Sequence, residues 1–251
     1  MLAIVGIVLL VLGGILLYAT ITDYKPEPII ELEIEGNASA QPDSTLTFLI
    51  WNIGYGGLGK EVDFFYDGGK TVRAPKDIFD KNNGGIKTFL KSHDDIDFIL
   101  LQEVDRHSKR SYGHDQYLEI ADGLPNHSRS FGLNYNVRFI PKPFTNPLGK
   151  VYGGLASYSR FTPQKATRYA FPGNFGWPKR IFFLDRCFLV QRFPVESGKE
   201  LLVINTHNSA YDDGGLKKKQ MAYMKEFLLA EHEKGNYICL LYTSDAADEL
   251  S

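Results

Sequence analysis

The sequence predicts an α+β domain built from stacked β-sheets, and three observations lead there. From Thr45 onward, short runs rich in β-branched and aromatic residues alternate with only a few helical patterns. At 251 residues, with 43% hydrophobic and 13% aromatic residues, the chain can fill the core of one good-sized domain or two small ones. Three strongly apolar runs also stop on polar side chains: 47–52 on Asn52, 96–103 on Gln102 and Glu103, and 201–207 on Asn205, Thr206 and His207. Apolar strands that deliver an amide, a carboxylate and an imidazole to one sheet edge are how a metal-assisted hydrolase is assembled.

Taken in order, residues 1–22 hold no charged side chain and consist mostly of Leu, Ile, Val, Gly and Ala, a length that spans a bilayer as a helix. A cleaved signal peptide normally opens on a basic region and ends at a small-residue cleavage site. The sequence has no basic region and no convincing site, which favours an uncleaved single-pass membrane anchor. Lys25 is the only nearby base, and Glu27, Glu31, Glu33 and Glu35 follow it, which is compatible with an extracytoplasmic domain although acids steer topology little. Residues 23–44 read as a polar, Pro-containing linker with one short strand at 29–34. The domain proper spans 45–238.

Within it, a Gly-rich loop at 54–83 precedes a short helix at 85–91, capped near Asn82 or Asn83. The continuous apolar run at 96–102 is the pattern of a strand covered on both faces. A helix around 114–123 is closed by Gly123 and Pro125. Strands follow at 129–135, 154–160, 166–171 and 180–193, then a buried one at 201–207. Past Asp212, Asp213, Gly214 and Gly215, an amphipathic helix at 216–233 sets Met221, Met224, Phe227 and Leu228 on one face. The two cysteines, Cys187 and Cys239, make no disulfide framework, and Cys187 in an apolar run reads as a packed core thiol.

Net charge is −2, but no Asp or Glu occurs between Gly123 and Leu184. That window holds nine bases, among them Arg129, Arg138, Lys142, Arg160, Lys179 and Arg180, interleaved with aromatic residues. A field of one sign attracts phosphate groups, nucleic acid or acidic lipid heads. The bland alternative is a strand-rich surface whose acidic partners come from elsewhere in the fold.

Glu103 is the strongest single candidate, because a carboxylate ending a buried strand is costly unless a cation pairs with it. A divalent metal and a salt bridge to Arg106 are both open for it. Asn52 can orient a carboxylate or water without adding charge, or can simply serve turn geometry. His207 can donate to a phosphate or supply a proton, or can be a satisfied structural histidine. The run from Gly54 to Lys60 has the spacing of a phosphate-binding loop, but Glu61 stands where a magnesium-binding hydroxyl belongs and no helix opens after it. Gly-rich turns lining a cleft account for that loop.

In combination these pieces say more. Trp51, Asn52 and Gly54, then Leu101 to Asp105, then Gly153 to Arg160, then Val203 to His207 occur in an order that resembles the endonuclease/exonuclease/phosphatase superfamily, which includes DNase I-like nucleases, inositol phosphatases and neutral sphingomyelinases. The resemblance implies a four-layer sandwich, two β-sheets packed between helices, with the site where the strands end. It also implies a divalent-metal-dependent phosphoesterase. Glu103 and Asn52 would hold Mg²⁺, with Mn²⁺ as an alternative, and His207 would contact the phosphate under attack. Arg160, Asn205, Lys179, Arg180 and Arg186 would bind the phosphorylated substrate, a nucleic acid or a lipid or sugar phosphate. No obligate protein partner is implied.

Members of that superfamily continue with a Gly-Asp-x-Asn strand and a terminal Asp-His pair, which this chain lacks. After Ile238 the stretch 239–251 resembles a translated sequencing adapter, and Asp245 and Asp248 within it are assigned no role. The expectation is a domain incomplete at its C-terminus and inactive as written, since losing members of a catalytic unit costs orders of magnitude in rate. The competing reading is a membrane-anchored, non-catalytic module that binds polyanions on the same fold.

Overall fold

The computed structural model describes residues 2–38, 40, 45–65, 68–195, 197–208 and 214–244. Linker residues 41–44, the Asp212–Asp213 pair and the tail from Asp245 lie outside the described residues. The elements run α1 (Leu2–Ile21), β1 (Ile29–Glu31), β2 (Phe48–Asn52), α2 (Lys76–Lys91), β3 (Phe98–Asp105), α3 (Gln116–Ala121), β4 (Ser128–Ile140), β5 (Gly149–Ser159), β6 (Lys165–Ala170), β7 (Cys187–Pro194), β8 (Glu200–Asn208), α4 (Gly215–Glu233) and β9 (Tyr237–Ser244).

The strands form two mixed sheets, in the orders β1-β6-β7-β8-β9 and β2-β3-β5-β4, with β2–β3 and β8–β9 the parallel pairs. Period-2 alternation along the strands sets the layers. On β3, Ile99 and Leu101 face outward onto Ile86 and Leu90 of α2 and Tyr117 and Ile120 of α3. Phe98 and Leu100, on the opposite face, meet Phe193 and Val203 of the other sheet. On that sheet Phe188, Val190, Leu202 and Ile204 face outward onto Met224 and Phe227 of α4. Helices, sheet, sheet and helix therefore stack in four layers, the α+β sandwich expected.

Several boundaries differ from the expectation. The helix read at 85–91 begins at Lys76, because Phe79, Asn83, Ile86 and Leu90 form a buried stripe that outweighs the helix-breaking tendency of Gly84 and Gly85. The strand read at 180–193 starts only at Cys187, since Lys179–Phe182 closes a 3₁₀ turn behind Pro178. Met221, expected on the packed face of α4, is exposed. Cys187 is fully buried, as a core thiol should be. From Cys239 the chain continues in β9 to Ser244, paired in register with β8.

Two polar clusters hold the layers. Asn205 of β8 reaches into the opposite sheet, where its Nδ2 donates to the carbonyls of Leu101 and Ala156, both at 3.1 Å. Its Oδ1 accepts from Gln102 Nε2 at 2.6 Å, and both amides are fully buried. At the other face, Arg192 of β7 binds Glu231 of α4 through two bonds, at 2.7 and 3.1 Å, and Glu200 at 2.7 Å. The Arg192 hydrogen bonds hold the Glu231 carboxyl down to about 2, from an ordinary 4.5.

These clusters give two tests. Asn205→Leu keeps the volume but leaves Gln102 Nε2 with only the Leu100 carbonyl and removes a donor from two strand carbonyls, so urea unfolding should show a loss of about 3 kcal/mol. An unchanged midpoint would contradict the sheet-joining role. For Glu231 the folded-state value lies below the unfolded one, so its stabilisation is complete above about pH 4.5 and is lost as pH falls towards 2. Melting curves of Glu231→Gln should lie lower at neutral pH, by about 2 kcal/mol, and show a shallower decline over that acid window. Parallel pH profiles for variant and parent would refute it.

Candidate active site

A cleft of about 1090 Å³ opens at the ends of β2, β3 and β8, where both sheets deliver side chains. Strict alternation would aim Glu103 outward with Ile99 and Leu101, toward the helices. Instead the β3–β5 register shifts between Leu101 and Val104, and Glu103 adopts φ 54°, the left-handed region. A bulge of this kind re-aims a side chain, and strained backbone of this kind clusters at functional sites. The redirected Glu103 Oε1 accepts from Asn52 Nδ2 at 3.1 Å and lies 3.4 Å from His207 Nε2. Asn52, at the end of β2, is oriented in turn by the Gly54 N–H, which donates to its Oδ1 at 3.0 Å. Arg106, the alternative partner for Glu103, instead pairs with Asp115.

A directional chain of hydrogen bonds fixes the imidazole. Because Asn205 Nδ2 faces two carbonyls, its Oδ1 must accept from Gln102 Nε2, which leaves Gln102 Oε1 as an acceptor. Thr243 Oγ1, which falls in the adapter-like stretch 239–251, donates to that oxygen at 3.2 Å and lies 3.0 Å from His207 Nδ1. The threonine proton being committed, its oxygen accepts from Nδ1–H. Nε2 is then the nitrogen on the Glu103 side, 3.4 Å from Oε1. The backbone carbonyl of His207 accepts from Arg186 Nη1 at 3.1 Å.

Of the expected site residues, Asn52, Glu103, His207, Lys179 and Arg186 line the cleft. Arg160, Arg180 and Asn205 do not. Arg160 lies at the far end of β3, bonded to Asp97 and the Asp95 carbonyl. Arg180 pairs with Asp23 at 2.7 Å. Asn205 is committed to the bracket between the sheets. Much of the basic window is likewise paired with acids from outside it: Arg129 with Glu35, Lys165 with Glu31. Its positive field is therefore concentrated on fewer cations than the count suggests.

The Gly-rich run does line the cleft, as Gly54, Tyr55, Gly56, Leu58 and Gly59. Sequence reading missed the group behind it. Arg110 forms a buried two-bond ion pair with Asp105, both at 2.9 Å, and its guanidinium lies 3.8 Å from the Tyr55 ring centre. Burial works against the Arg110 charge, and Asp105 outweighs it and holds the group ionised. Burial also pushes the Tyr55 hydroxyl up. Arg110 had no motif around it to mark it, and its spacing of five from Asp105 was the only signal. The remaining walls are largely apolar: Trp51, Ile53, Val62, Phe64, Phe175 and Phe183.

No protein-family model matches the sequence, and no curated protein matches it. Solved structures do. The endonuclease/exonuclease/phosphatase from Beutenbergia cavernae DSM 12333 is similar at 19% identity and a TM-score of 0.50, over 73% of this chain and 43% of its own. ANGEL2, a 2′,3′-cyclic phosphatase, is similar at 17% identity and a TM-score of 0.51, over 87% of this chain and 56% of its own. The chain thus spans about half the length of these structures. With its two mixed sheets stacked between helices, it has the fold of the endonuclease/exonuclease/phosphatase superfamily.

Proposed function

We propose that the protein is a divalent-cation-dependent phosphoesterase, tethered by α1 to a membrane with the domain on the extracytoplasmic side. The observation that supports this most is the convergence of Asn52, Glu103 and His207, from two different sheets, in one cleft of a phosphoesterase fold. The donor set suits Mg²⁺: one carboxylate and one amide in an open cleft match a cation that keeps several waters and takes few protein ligands. Mn²⁺ accepts the same oxygen donors. Among the described residues no cluster of three or more His, Cys, Asp or Glu ligands occurs, which argues against a closed zinc site.

Glu103 and Asn52 would hold the cation, which when bound would offset charge developing on the phosphoryl oxygens. Asn52 keeps the Glu103 carboxylate oriented through its Nδ2. His207 presents Nε2 to the cleft, on the side of Glu103, where in its protonated form it can donate to a phosphoryl oxygen. Lys179 and Arg186 add positive charge along the same wall. The apolar walls suit a substrate with a sizeable non-polar group beside its phosphate.

Calorimetric titration with Mg²⁺ tests the reading. Glu103→Gln is expected to weaken binding at least about tenfold, while His207→Ala should spare the cation and weaken binding of inorganic phosphate. Cation binding unchanged by Glu103→Gln would contradict the assignment. This chain being expected inactive as written, turnover is sought in the complete protein, where hydrolysis of bis-p-nitrophenyl phosphate that needs Mg²⁺ and vanishes in His207→Ala marks a hydrolase. Binding with no turnover by a complete protein that carries the Gly-Asp-x-Asn strand and terminal Asp-His pair favours the anchored polyanion-binding module.

A further inference from the structure

The C-terminal end of α1 is bonded to the rim of the cleft. Trp177 Nε1 donates to Thr20 Oγ1 at 3.2 Å, and Arg180 Nη2 donates to Asp23 Oδ2 at 2.7 Å. Trp177 and Arg180 belong to the segment 173–184, whose Phe175, Lys179 and Phe183 line the cleft. On its other side, the helix end at Ile15, Tyr18 and Ala19 borders a small groove shared with Val137 and Phe139 of β4 and with Ile181. Wherever α1 sits, this face sits with it.

The length of α1 restricts where that is. Its 20 residues rise about 30 Å at 1.5 Å each, which equals the hydrocarbon thickness of a bilayer. If α1 spans the bilayer, its end at Thr20 to Asp23 lies at the membrane boundary, and the side chains bonded there, Trp177 and Arg180, are placed at headgroup level.

The chemistry of the face fits that depth. Phe144, at the tip of the β4–β5 hairpin, is 70% exposed and Trp177 59%. Phe139 is also exposed. Aromatic side chains with one wet end concentrate at membrane interfaces. Arg138, Lys142 and Lys179 stand exposed among them, and none has an acidic partner within 4 Å among the described residues. Asp23, the acid at the end of the helix, is neutralised by Arg180. Bases near an anionic leaflet are drawn towards it.

We propose that the face formed by Arg138, Phe139, Lys142, Phe144 and Trp177 rests on an anionic phospholipid surface and turns the cleft rim toward it. The phosphoester the cleft takes is then one carried by a bilayer amphiphile. The proposal rests on reading α1 as a membrane span and, for the substrate, on the phosphoesterase reading.

Trp177 is one of two tryptophans, which supplies the test. The full chain is reconstituted into phosphatidylcholine vesicles, with or without phosphatidylserine, that carry lipids spin-labelled near the headgroup. The emission component absent from Trp177→Phe is expected to be quenched by the label, at least about twofold more strongly with phosphatidylserine. Arg138→Glu combined with Lys142→Glu should abolish that difference. Trp177 emission quenched by aqueous iodide and untouched by the lipid label would overturn the proposal. Retention of the chain on vesicles after an alkaline wash reports on α1 alone. Retention with an unquenched Trp177 sinks the docking face but not the anchor, while release sinks both. Neither readout depends on catalysis, so failure of the phosphoesterase reading shows separately, in the Mg²⁺ titration.

Discussion

The buried amide of Asn205 is the constraint on which the rest of the site depends. It stands on β8, makes all its side-chain hydrogen bonds to the opposite sheet, and so helps fix the register between two layers that also meet through apolar contacts and through the Arg168 bond to the Leu133 carbonyl. Apolar packing alone tolerates small slips, whereas a fully buried amide does not, because any displacement leaves polar atoms unpaired at a cost of about 1–3 kcal/mol each. Two residues beyond Asn205 on β8 is His207, and one residue beyond Gln102 on β3 is Glu103. The bracket that aligns the sheets thereby sets the 3.4 Å between the imidazole and the carboxylate. Structure and chemistry share one hydrogen-bond network.

The remaining site geometry is built by local strain on this frame. Glu103 in the left-handed region, opposite the Gly153–Gly154 pair, is turned from the helix layer to the cleft. A Cβ at Gly154 would run into the Gly132 carbonyl, so the close approach of β4 and β5 beneath the bulge requires glycine there. Tyr55, also left-handed, is clamped under the Arg110 guanidinium. Both strained residues border the same cleft, which is where a fold stores such strain when geometry matters more than stability.

Much of this was legible in the sequence because apolar periodicity reports burial directly. The strands of β2, β3 and β8 and the polar residues that end them were read from continuous apolar runs, the stacked sheets from their alternation with a few helices, and the four-layer sandwich only from the resemblance. What was not legible came from tertiary context. α2 runs through Gly84 and Gly85 because Asn83 is tied to Gln116 and Glu119 and Phe79 is buried, none of which local propensity reveals. Arg160 and Arg180 looked equivalent to Lys179 and Arg186 as cations, but their acidic partners, Asp97 and Asp23, lie 63 and 157 residues away in sequence. Asn205 was read as a substrate contact because a polar residue at a strand end looks the same whether it faces a cleft or another sheet.

The central claim is that Glu103 and His207 form one cation-dependent site across the two sheets. Titrating Mn²⁺ into protein labelled with ¹⁵N at its six histidines tests it most directly, since the paramagnetic ion broadens nearby imidazole signals. The account predicts that His207 broadens first and that Glu103→Gln removes the effect. Broadening of the other histidines with His207 left sharp, or an effect that survives Glu103→Gln, would contradict it.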